Sequence, residues 1–306
     1  MILLSAIKTE FIVKFTLHFF IISFILLALV PIIGVEVKGA KRWLDFYFFR
    51  LQPIEILKPL FILAIAKILT SEKFKDTQIK YILCFILLSS VLILLIDQPD
   101  LGQSILLIGS WVATVFISGI SLTYIFIFFS LFLIFLSLIL FFLPEKLGYV
   151  INRLIVFFDP NQGDKFQSSS ALDAIKQGGP TGQGMAEGIL SENVPEANTD
   201  YVIAVISEEY GSIVSITILI IFLFISFRII KNCINQEDKF LKISLSGLAT
   251  LLIFQTFIHG GVNTNLLPTT GMTLPLLSYG GSSLIGSAIL AGLVLNYTKN
   301  KVYLYD

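Results

Sequence analysis

Residues 122–143 read LTYIFIFFSLFLIFLSLILFFL, an apolar run that contains no charged residue. A helix needs about 20 such residues to cross the roughly 30 Å hydrocarbon core of a bilayer. Similar stretches lie at residues 13–33, 52–70, 79–96, 102–120, 208–228, 240–260 and 276–297. Their apolar residues are distributed around the whole helix and do not form a stripe on one face, as expected where lipid and neighbouring helices share a helix surface. The sequence therefore predicts an all-α fold, a polytopic membrane bundle of eight transmembrane helices that forms a single integral membrane domain over residues 1–306.

The composition of the whole chain agrees with a membrane protein. Hydrophobic residues make up 56% of the 306 residues, the mean hydropathy is +0.88, and 14% are charged, against about 25% in soluble domains. A water-soluble globule of this size cannot bury so much apolar surface, which excludes a soluble enzyme. The 21 basic and 21 acidic residues cancel, which argues against a nucleic-acid partner. Two Cys and two His are too few for a zinc cluster or disulfide framework, so we expect Cys84 and Cys233 to be free thiols.

Lys and Arg in short loops indicate which side of the membrane faces the cytoplasm. Basic residues recur at residues 71–80 and 228–242 and near both chain ends, and eight spans would put all of these on one side. We assign that side to the cytoplasm. The basic residues that then fall on the outer side are Lys38, Lys41, Arg42 and Arg50. Their position suggests that some of them hold an anion.

The outer side then carries two unusual segments, the long loop at residues 144–200 and a Gly- and Pro-rich segment at 263–283. Loops of this length in a compact protein are usually functional or disordered. Residues 144–200 contain hydrophobic residues and the run GGPTGQG at 178–184, so we expect a large extracytoplasmic loop that forms an ordered cap. Irregular backbone at membrane depth survives only against protein or a water-filled cavity. The functional site is therefore predicted to lie on the outer side of the membrane.

Asp200 precedes the sixth span and has two interpretations. A carboxylate just before a helix is a favourable N-cap, yet the same position directs it out of the membrane surface towards a substrate. The residues alone leave capping and catalysis equally weighted. Glu208 and Glu209, two turns further along, are expected near the interface, where a carboxylate is solvated or paired.

Glu55 and Lys58 are three residues apart near the outer end of the second span, which places them on one helix face. Charges inside membrane helices are costly and indicate function by default. The alternative is an internal salt bridge that locks helix packing. Arg42 is either an interfacial anchor beside Trp43 or a clamp for a phosphate group. Residues 278–283 offer Ser hydroxyls, but no His base is convincingly placed for them, so a serine nucleophile is not favoured.

Five motifs follow one another along the chain. They are GAKRW at residues 39–43, QPIEILK at 52–58, DQPDLG at 97–102, PEANTDY at 195–201 with EEYG at 208–211, and LPTTGMTLPLLSYGGSS at 267–283. In sequence, order and topological position these motifs resemble the SEDS family (shape, elongation, division and sporulation). The resemblance runs from Val35 to the last span, and the form GMTLP is more similar to the division branch of the family than to the elongation branch.

The resemblance implies a peptidoglycan glycosyltransferase that polymerises lipid II at the outer face of the bacterial cytoplasmic membrane during cell division. The transfer would invert the anomeric centre and release polyprenyl pyrophosphate, with Asp200 as the catalytic carboxylate. The residues that the resemblance and the charge pattern suggest for substrate binding are Gln52, Glu55, Lys58, Arg42, Ser278 and Ser282. The resemblance does not assign a cofactor, and it does not determine whether a divalent cation takes part. The implied partners are a class B penicillin-binding transpeptidase and other proteins of the division site.

Two alternatives come from other functional classes. A flippase or transporter for lipid II would carry charged residues through its spans and broken helices near mid-membrane, whereas the polar residues here cluster at one face. A non-catalytic division scaffold would need no carboxylate at position 200 and would tolerate its replacement.

The chain departs from the family pattern at three points. One is the stretch FQSSSALDAI at residues 166–175, which lacks the Gln-Ser pair that many members show after Tyr-Gln. Family members usually have ten spans, so we expect this chain to begin inside the second, with residues 1–6 as its remnant. The usual Gln-Pro-Ser-Glu is Gln-Pro-Ile-Glu here. Because the apolar Ile54 replaces the Ser, we expect that its hydroxyl is not required for the chemistry.

Overall fold

The computed structural model describes residues 1–37, 39–142, 144–158 and 166–299. Lys38, the last residue of the 122–143 stretch, residues 159–165 of the long loop and the chain end at 300–306 lie outside the described residues. In the described part of the chain the α-helices are α1 (Ile2–Ala6), α2 (Thr9–Ile33), α3 (Pro53–Leu69), α4 (Thr77–Asp97), α5 (Leu101–Ile117), α6 (Leu122–Phe142), α7 (Pro144–Phe158), α8 (Phe166–Gly178), α9 (Val202–Tyr210), α10 (Ser212–Ile234), α11 (Lys239–Asn263) and α12 (Gly281–Tyr297). The strands are β1 (Val35–Val37), β2 (Ala40–Asp45) and β3 (Arg50–Leu51).

The helices follow the predicted spans. Each of the eight apolar stretches overlaps one helix among α2 to α6 and α10 to α12. By length and composition α2, α4, α10 and α11 are each long and apolar enough to cross a membrane, and α5 and α12 are shorter apolar helices. The predicted membrane helical bundle is therefore confirmed as a fold class.

Two spans begin later than predicted. The apolar run at 208–228 is divided between α9 and α10, because Gly211 between them has φ +88, a left-handed value that glycine adopts readily. Gly211 also packs so closely on the Pro180 carbonyl that a Cβ would collide with it. The last helix begins at Gly281, because Leu276 upstream has φ +64, outside the helical region.

α3 and α11 lie at the centre of the bundle. α3 packs against α2, α5, α11 and α12, and α11 packs against α5 and α10 as well. Small residues allow the closest approaches, since a Cβ at Gly286 of α12 would collide with the backbone of Glu55. A Cβ at Gly247 of α11 would likewise collide with Ile62. Membrane helices associate through such close packing, and these contacts fix α3, the helix that carries Glu55 and Lys58.

A short antiparallel sheet connects α2 to α3, and the sequence prediction of an all-α chain missed it. Val35 of β1 pairs with Trp43 of β2, and Asp45 of β2 pairs with Arg50 of β3. The longest of these strands reads AKRWLD, which lacks the strict alternation of apolar and polar residues by which a strand is recognised in a sequence. β2 carries Arg42, so the sheet fixes the backbone of this candidate residue.

The described part of the long loop packs onto α9. α8 approaches α9 at Gly178, where a Cβ would collide with the carbonyl of Ser207. Glu208 is fully buried, so of the two states expected for it, solvated or paired, the first does not apply. Its carboxylate accepts hydrogen bonds from three consecutive backbone N–H groups of the loop, those of residues 189, 190 and 191, at 3.1, 2.8 and 2.6 Å. Glu208 therefore ties the loop to the helix that follows Asp200.

Candidate functional site

Asp200 lies at the end of a turn that leads into α9. Its N–H donates to the carbonyl of Glu196 at 3.0 Å, and its own carbonyl accepts a 3.0 Å hydrogen bond from Nδ2 of Asn263 in α11. The N-cap residue of α9 is Tyr201, without a side-chain hydrogen bond. The first-turn N–H of Ala204 donates to Oδ1 of Asn263 at 3.1 Å. Asn263 thus makes the kind of capping contact that one interpretation assigned to Asp200.

The Asp200 carboxylate and the Arg42 guanidinium flank Gly271. A Cβ at Gly271 would lie 3.6 Å from Oδ2 of Asp200 and 3.8 Å from Nη1 of Arg42, so the two charged groups approach one point. Gly271 has φ +69, which glycine adopts without steric cost. Because Gly271 has no side chain, the point that a potential base and a cation both approach is open, and this point is the centre of the candidate site.

Arg42 is held by the loop between α4 and α5. Its Nε donates to the Gln98 carbonyl at 3.0 Å, and its Nη2 donates to the Pro99 carbonyl. Nε also lies 3.8 Å from Oδ2 of Asp100. Burial raises the pKa of the Asp100 carboxyl above its usual value, and the charge of Arg42 opposes that rise. Nε and Nη2 thus donate to the backbone of this loop, while Nη1 lies near Gly271. This geometry favours the interpretation of Arg42 as an anion clamp over that of an interfacial anchor.

Glu55 and Lys58 form the predicted pair inside the bundle. Nζ of Lys58 lies 2.8 Å from Oε2 of Glu55, and both side chains are almost completely buried. Glu55 Oε1 also accepts a 2.7 Å hydrogen bond from Nε2 of Gln103 in α5. On the other side Lys58 donates to Oε1 of Gln255 at 3.5 Å, and Nε2 of Gln255 donates to the Thr273 carbonyl at 3.0 Å. The pair is therefore linked to the segment that carries Gly271, and it reaches the site through Gln255.

Ser278 and Ser282 connect backbone segments around the site. The Ser278 hydroxyl accepts a 2.8 Å hydrogen bond from the N–H of Leu274 and donates to the carbonyl of Thr199 at 2.6 Å. Thr199 is the residue before Asp200. The Ser282 hydroxyl accepts from the N–H of Gln52 at 2.9 Å and donates towards the carbonyl at position 50 at 3.2 Å. The Ser278 hydroxyl therefore holds the residue before Asp200, and the Ser282 hydroxyl joins the start of α12 to the chain that enters α3.

Sequence reasoning missed Gln103, Gln255, Asn263 and Gly271. The two glutamines and the asparagine are buried polar residues on helices that are otherwise mostly apolar. That kind of placement is itself a signal, because polar side chains inside membrane spans are costly and usually have a partner or a function. The hydrogen-bond partners of Gln103, Gln255 and Asn263 are 48, 18 and 63 residues away along the chain, respectively. The sequence therefore indicates that these residues matter, but it does not indicate which residues they contact.

An apolar cavity of about 240 Å³ lies beside the buried ion pair. Glu55, Lys58 and Gln255 form its polar border, and apolar side chains such as Phe222 and Leu290 form most of its wall. α10, α11 and α12 contribute these apolar residues. A wall of this composition suits a hydrocarbon chain better than a sugar.

A divalent cation would need several oxygen or nitrogen ligands gathered at one place. Among residues 1–37, 39–142, 144–158 and 166–299, no group of three or more His, Cys, Asp or Glu side chains could hold a metal ion. The divalent cation left open by the sequence stays an untested prediction.

Comparison with known sequences gives matches along almost the whole chain. A family model described as cell cycle protein (FtsW, RodA, SpoVE) matches residues 1–303. The chain is 34% identical over 269 residues to a protein of Caulobacter vibrioides named probable peptidoglycan glycosyltransferase FtsW, covering 87% of this chain and 67% of that protein. It is 36% identical over 280 residues to the protein of the same name from Geobacter metallireducens, covering 89% of this chain and 73% of that one.

Comparison with solved structures agrees. The chain matches a structure described as "Structural coordination of polymerization and crosslinking by a peptidoglycan synthase complex" with a TM-score of 0.78 and 28% identity, over 97% of this chain and 84% of the other. It also matches the crystal structure of the rod shape determining protein RodA of Thermus thermophilus with a TM-score of 0.70 and 27% identity, over 97% of this chain and 82% of that one.

Proposed function

The chain belongs to the cell cycle protein family of FtsW, RodA and SpoVE and is a peptidoglycan glycosyltransferase, and we propose that it polymerises lipid II with Asp200 as general base. The observation that carries the assignment of Asp200 is the approach of its carboxylate and the Arg42 guanidinium to one open point at Gly271. A carboxylate and a cation that both approach one open point are what a transfer from a pyrophosphate donor needs. The multi-pass membrane bundle suits a substrate that is itself anchored in lipid.

The proposed reaction is a single displacement. The 4-hydroxyl oxygen of the acceptor sugar forms a bond to the anomeric carbon of the donor, while the bond from that carbon to the pyrophosphate oxygen breaks. The hydroxyl proton passes to the carboxylate of Asp200, and polyprenyl pyrophosphate leaves with the bonding electron pair. One displacement inverts the anomeric centre. General base catalysis by a positioned carboxylate typically contributes about 10²–10⁴-fold.

A pyrophosphate leaves as a stabilised anion, so a second carboxylic acid of the kind that glycosidases use is not needed. Arg42 is the cation that supports this departure. Its Nη1 faces the space at Gly271, and its fixed planar head suits phosphate oxygens. Charge that is held in place before the reaction stabilises a developing anion without reorganisation.

Lys58 has a different role in this proposal, because its amine is buried against Glu55 and Gln255. The pair acts by positioning. Through Gln255 it holds the Thr273 carbonyl, and with it the segment on which Gly271 lies. The substrate-binding role expected for Glu55 and Lys58 becomes an indirect one, exerted through the shape of the site.

The lipid tails of donor and acceptor need an apolar surface near the reacting sugars. The cavity of about 240 Å³ bordered by Glu55 and Lys58 offers such a surface for part of a polyprenyl chain. Holding both anchored substrates in one place supplies proximity, which lowers the entropic barrier to a bimolecular transfer.

The chain is a multi-pass membrane protein, and we propose that residues 144–200 and the Asp200 end of the bundle face outwards from the bacterial cytoplasmic membrane. The similarity to proteins named FtsW favours a role at the division site. The similarity to a complex that coordinates polymerization and crosslinking favours a crosslinking partner, a class B penicillin-binding transpeptidase.

The test is a lipid II polymerisation assay that compares the wild-type protein with Asp200→Asn, each co-purified with a catalytically inactive transpeptidase. Products are separated on gels as glycan ladders. Removing the base should lower turnover by at least about 100-fold while expression is kept. Asp173→Asn is the matched control, since this carboxylate is exposed on α8 and pairs with Lys176 at 3.6 Å.

Ladders lost in Asp200→Asn but kept in Asp173→Asn would support the assignment. Full turnover by Asp200→Asn would overturn Asp200 as the base. Absence of polymer from folded wild-type protein, together with accelerated passage of lipid II across vesicle membranes, would instead support the flippase alternative.

A further inference from the structure

A second cavity, polar and about 540 Å³ in volume, lies next to the candidate site. Glu196, Asn198, Thr199, Glu209 and Tyr279 are among the residues that line it. Thr199 immediately precedes Asp200 in the chain, so the wall of this cavity includes the neighbour of the proposed base. Its volume falls in the range of about 300–1,000 Å³ that is usual for small-molecule sites.

Tyr279 is the unusual element of this cavity. Its side chain is 82% exposed, yet its backbone is fixed, because its N–H donates to the carbonyl of Asn198 at 2.8 Å. The preceding residue, Ser278, donates from its hydroxyl to Thr199 at 2.6 Å. An exposed aromatic ring offers a large contact surface, and the fixed backbone determines where on the cavity wall the ring is attached.

Glu209 is anchored next to this ring through its backbone. Its carbonyl accepts a 3.0 Å hydrogen bond from the N–H of Gly184 in the loop. Glu209 is half-buried and is one of the residues that line the cavity, whereas the carboxylate of Glu208 is buried and accepts from three backbone N–H groups. Asn198 adds an exposed amide on the same wall.

An aromatic face with carboxylate and amide groups beside it fits a pyranose ring. The ring face of Tyr279 is electron-rich and attracts the polarised C–H groups of a sugar. Carboxylate and amide oxygens accept hydrogen bonds from hydroxyl and acetamido groups.

We propose that this cavity is a saccharide subsite, which holds a sugar of the glycan strand next to the ring that reacts at Asp200. The proposal rests on the proposed function, since it supplies a place for the polymer. A subsite beyond the reacting ring keeps a growing strand bound between transfers. It therefore governs how many units are added before the strand leaves.

The first test measures product length. Tyr279→Ala should shift glycan ladders to shorter products, and Tyr279→Phe, which keeps the ring, should give products of nearly wild-type length. Because the Tyr279 side chain is largely exposed and its hydrogen bond comes from the backbone, the alanine variant is expected to fold. Tyr47→Ala is the control, since Tyr47 is a 92% exposed tyrosine that does not line the cavity.

The second test measures binding without turnover. The probe is a lipid-free tetrasaccharide of alternating N-acetylglucosamine and N-acetylmuramic acid, observed by saturation-transfer NMR with Asp200→Asn as the background. Adding Tyr279→Ala should weaken its binding roughly tenfold, and Glu209→Gln should weaken it as well. This readout does not depend on catalysis, so it separates failure of the subsite from failure of the proposed base.

Equal binding of the tetrasaccharide with and without the Tyr279 ring would overturn the proposal. So would an unchanged ladder combined with loss of the co-purified transpeptidase from Tyr279→Ala, which would make the cavity a protein interface. Shorter ladders together with weaker tetrasaccharide binding would support it.

Discussion

The side-chain amide of Asn263 donates a 3.0 Å hydrogen bond from Nδ2 to the carbonyl oxygen of Asp200. The same amide accepts from the N–H of Ala204 through Oδ1 at 3.1 Å and donates to the carbonyl of His259 at 2.9 Å. Asn263 is fully buried at the end of α11. One side chain thus fixes the residue that carries the proposed base and the start of the helix that follows it.

Replacing Asn263 with Ala should lower polymerisation while the protein still folds. The change leaves the Asp200 carbonyl and the Ala204 N–H without this partner, at about 1–3 kcal/mol for each group that becomes unsatisfied. A displacement of about 1 Å at a reacting group can cost roughly 10²-fold in rate, so kcat should fall more than KM rises. Initial rates of lipid II polymerisation measure the effect.

Asn193→Ala is the matched control for this variant. The Asn193 amide makes a single 3.4 Å contact with the Ile189 carbonyl at an exposed position. Its activity and melting temperature should stay at the wild-type level. An Asn263→Ala protein with unchanged kcat would contradict the positioning role.

The fold class could be predicted from the sequence because membrane spans are a property of local composition. The pairing of Glu55 with Lys58 was predictable for a similar reason, since a spacing of three residues on a helix already places the side chains together. Both depend on short stretches of chain.

The rest of the site depends on contacts between distant residues. Lys58 contacts Gln255, which is 197 residues away along the chain, and Arg42 contacts the Gln98 carbonyl, which is 56 residues away. Hydrophobic periodicity in a sequence does not reveal contacts over such separations. The break at Gly211 was missed for another reason. Apolar residues lie on both sides of the stretch SEEYGS at 207–212, and the prediction began the span inside that stretch, at residue 208, because hydropathy does not show that a backbone torsion at Gly211 separates two helices.

The buried ion pair should show strong coupling between its two members. Glu55→Gln or Lys58→Met alone leaves one buried group without its counter-ion, which is expected to cost about 3–5 kcal/mol of the free energy of unfolding. The double variant should be less destabilised than the sum of the single variants. Thermal unfolding of the wild type, the two single variants and the double variant in detergent gives the four stabilities of a double-mutant cycle.

The exposed pair of Asp173 and Lys176 is the reference for that cycle. It has the same spacing and a 3.6 Å separation, but its side chains are 61% and 67% exposed. Solvent screening limits such a pair to about 0–1 kcal/mol, so its removal should change the melting temperature little. Additive effects of Glu55→Gln and Lys58→Met would refute coupling within the buried pair.

Arg42 should not be replaceable by lysine. Lysine keeps the charge, but it lacks the planar head that binds the carbonyls of Gln98 and Pro99 while Nη1 faces Gly271. Arg42→Lys should therefore lower kcat almost as much as Arg42→Ala, by about 10²–10³-fold if one preorganised donor to the leaving group is lost. Initial polymerisation rates distinguish the two variants.

Arg50→Lys serves as the control for the Arg42 variants, because Arg50 is exposed and pairs with Asp45 at 3.2 Å on the same sheet. It should retain wild-type activity. Substantial turnover by Arg42→Lys would mean that charge alone suffices and that the guanidinium geometry is unimportant.

The open space at Gly271 can be filled by a single methyl group. Gly271→Ala puts a Cβ 3.6 Å from Oδ2 of Asp200 and 3.8 Å from Nη1 of Arg42, in the space assigned to the reacting groups. It also forces alanine into φ +69, which costs about 1–2 kcal/mol. Gly119→Ala separates the two effects, since Gly119 has φ +94 and nothing within 4 Å of its Cβ position.

Both glycine variants should therefore lose a similar amount of stability, while only Gly271→Ala should lose polymerisation. The comparison needs melting temperatures and initial rates from the same preparations. If Gly271→Ala and Gly119→Ala kept equal activity, the reacting groups could not meet at Gly271. The base and its cation would then have to act at some other place. If activity fell in Gly271→Ala alone, the lost rate would come from occupied volume, because backbone strain is common to both variants.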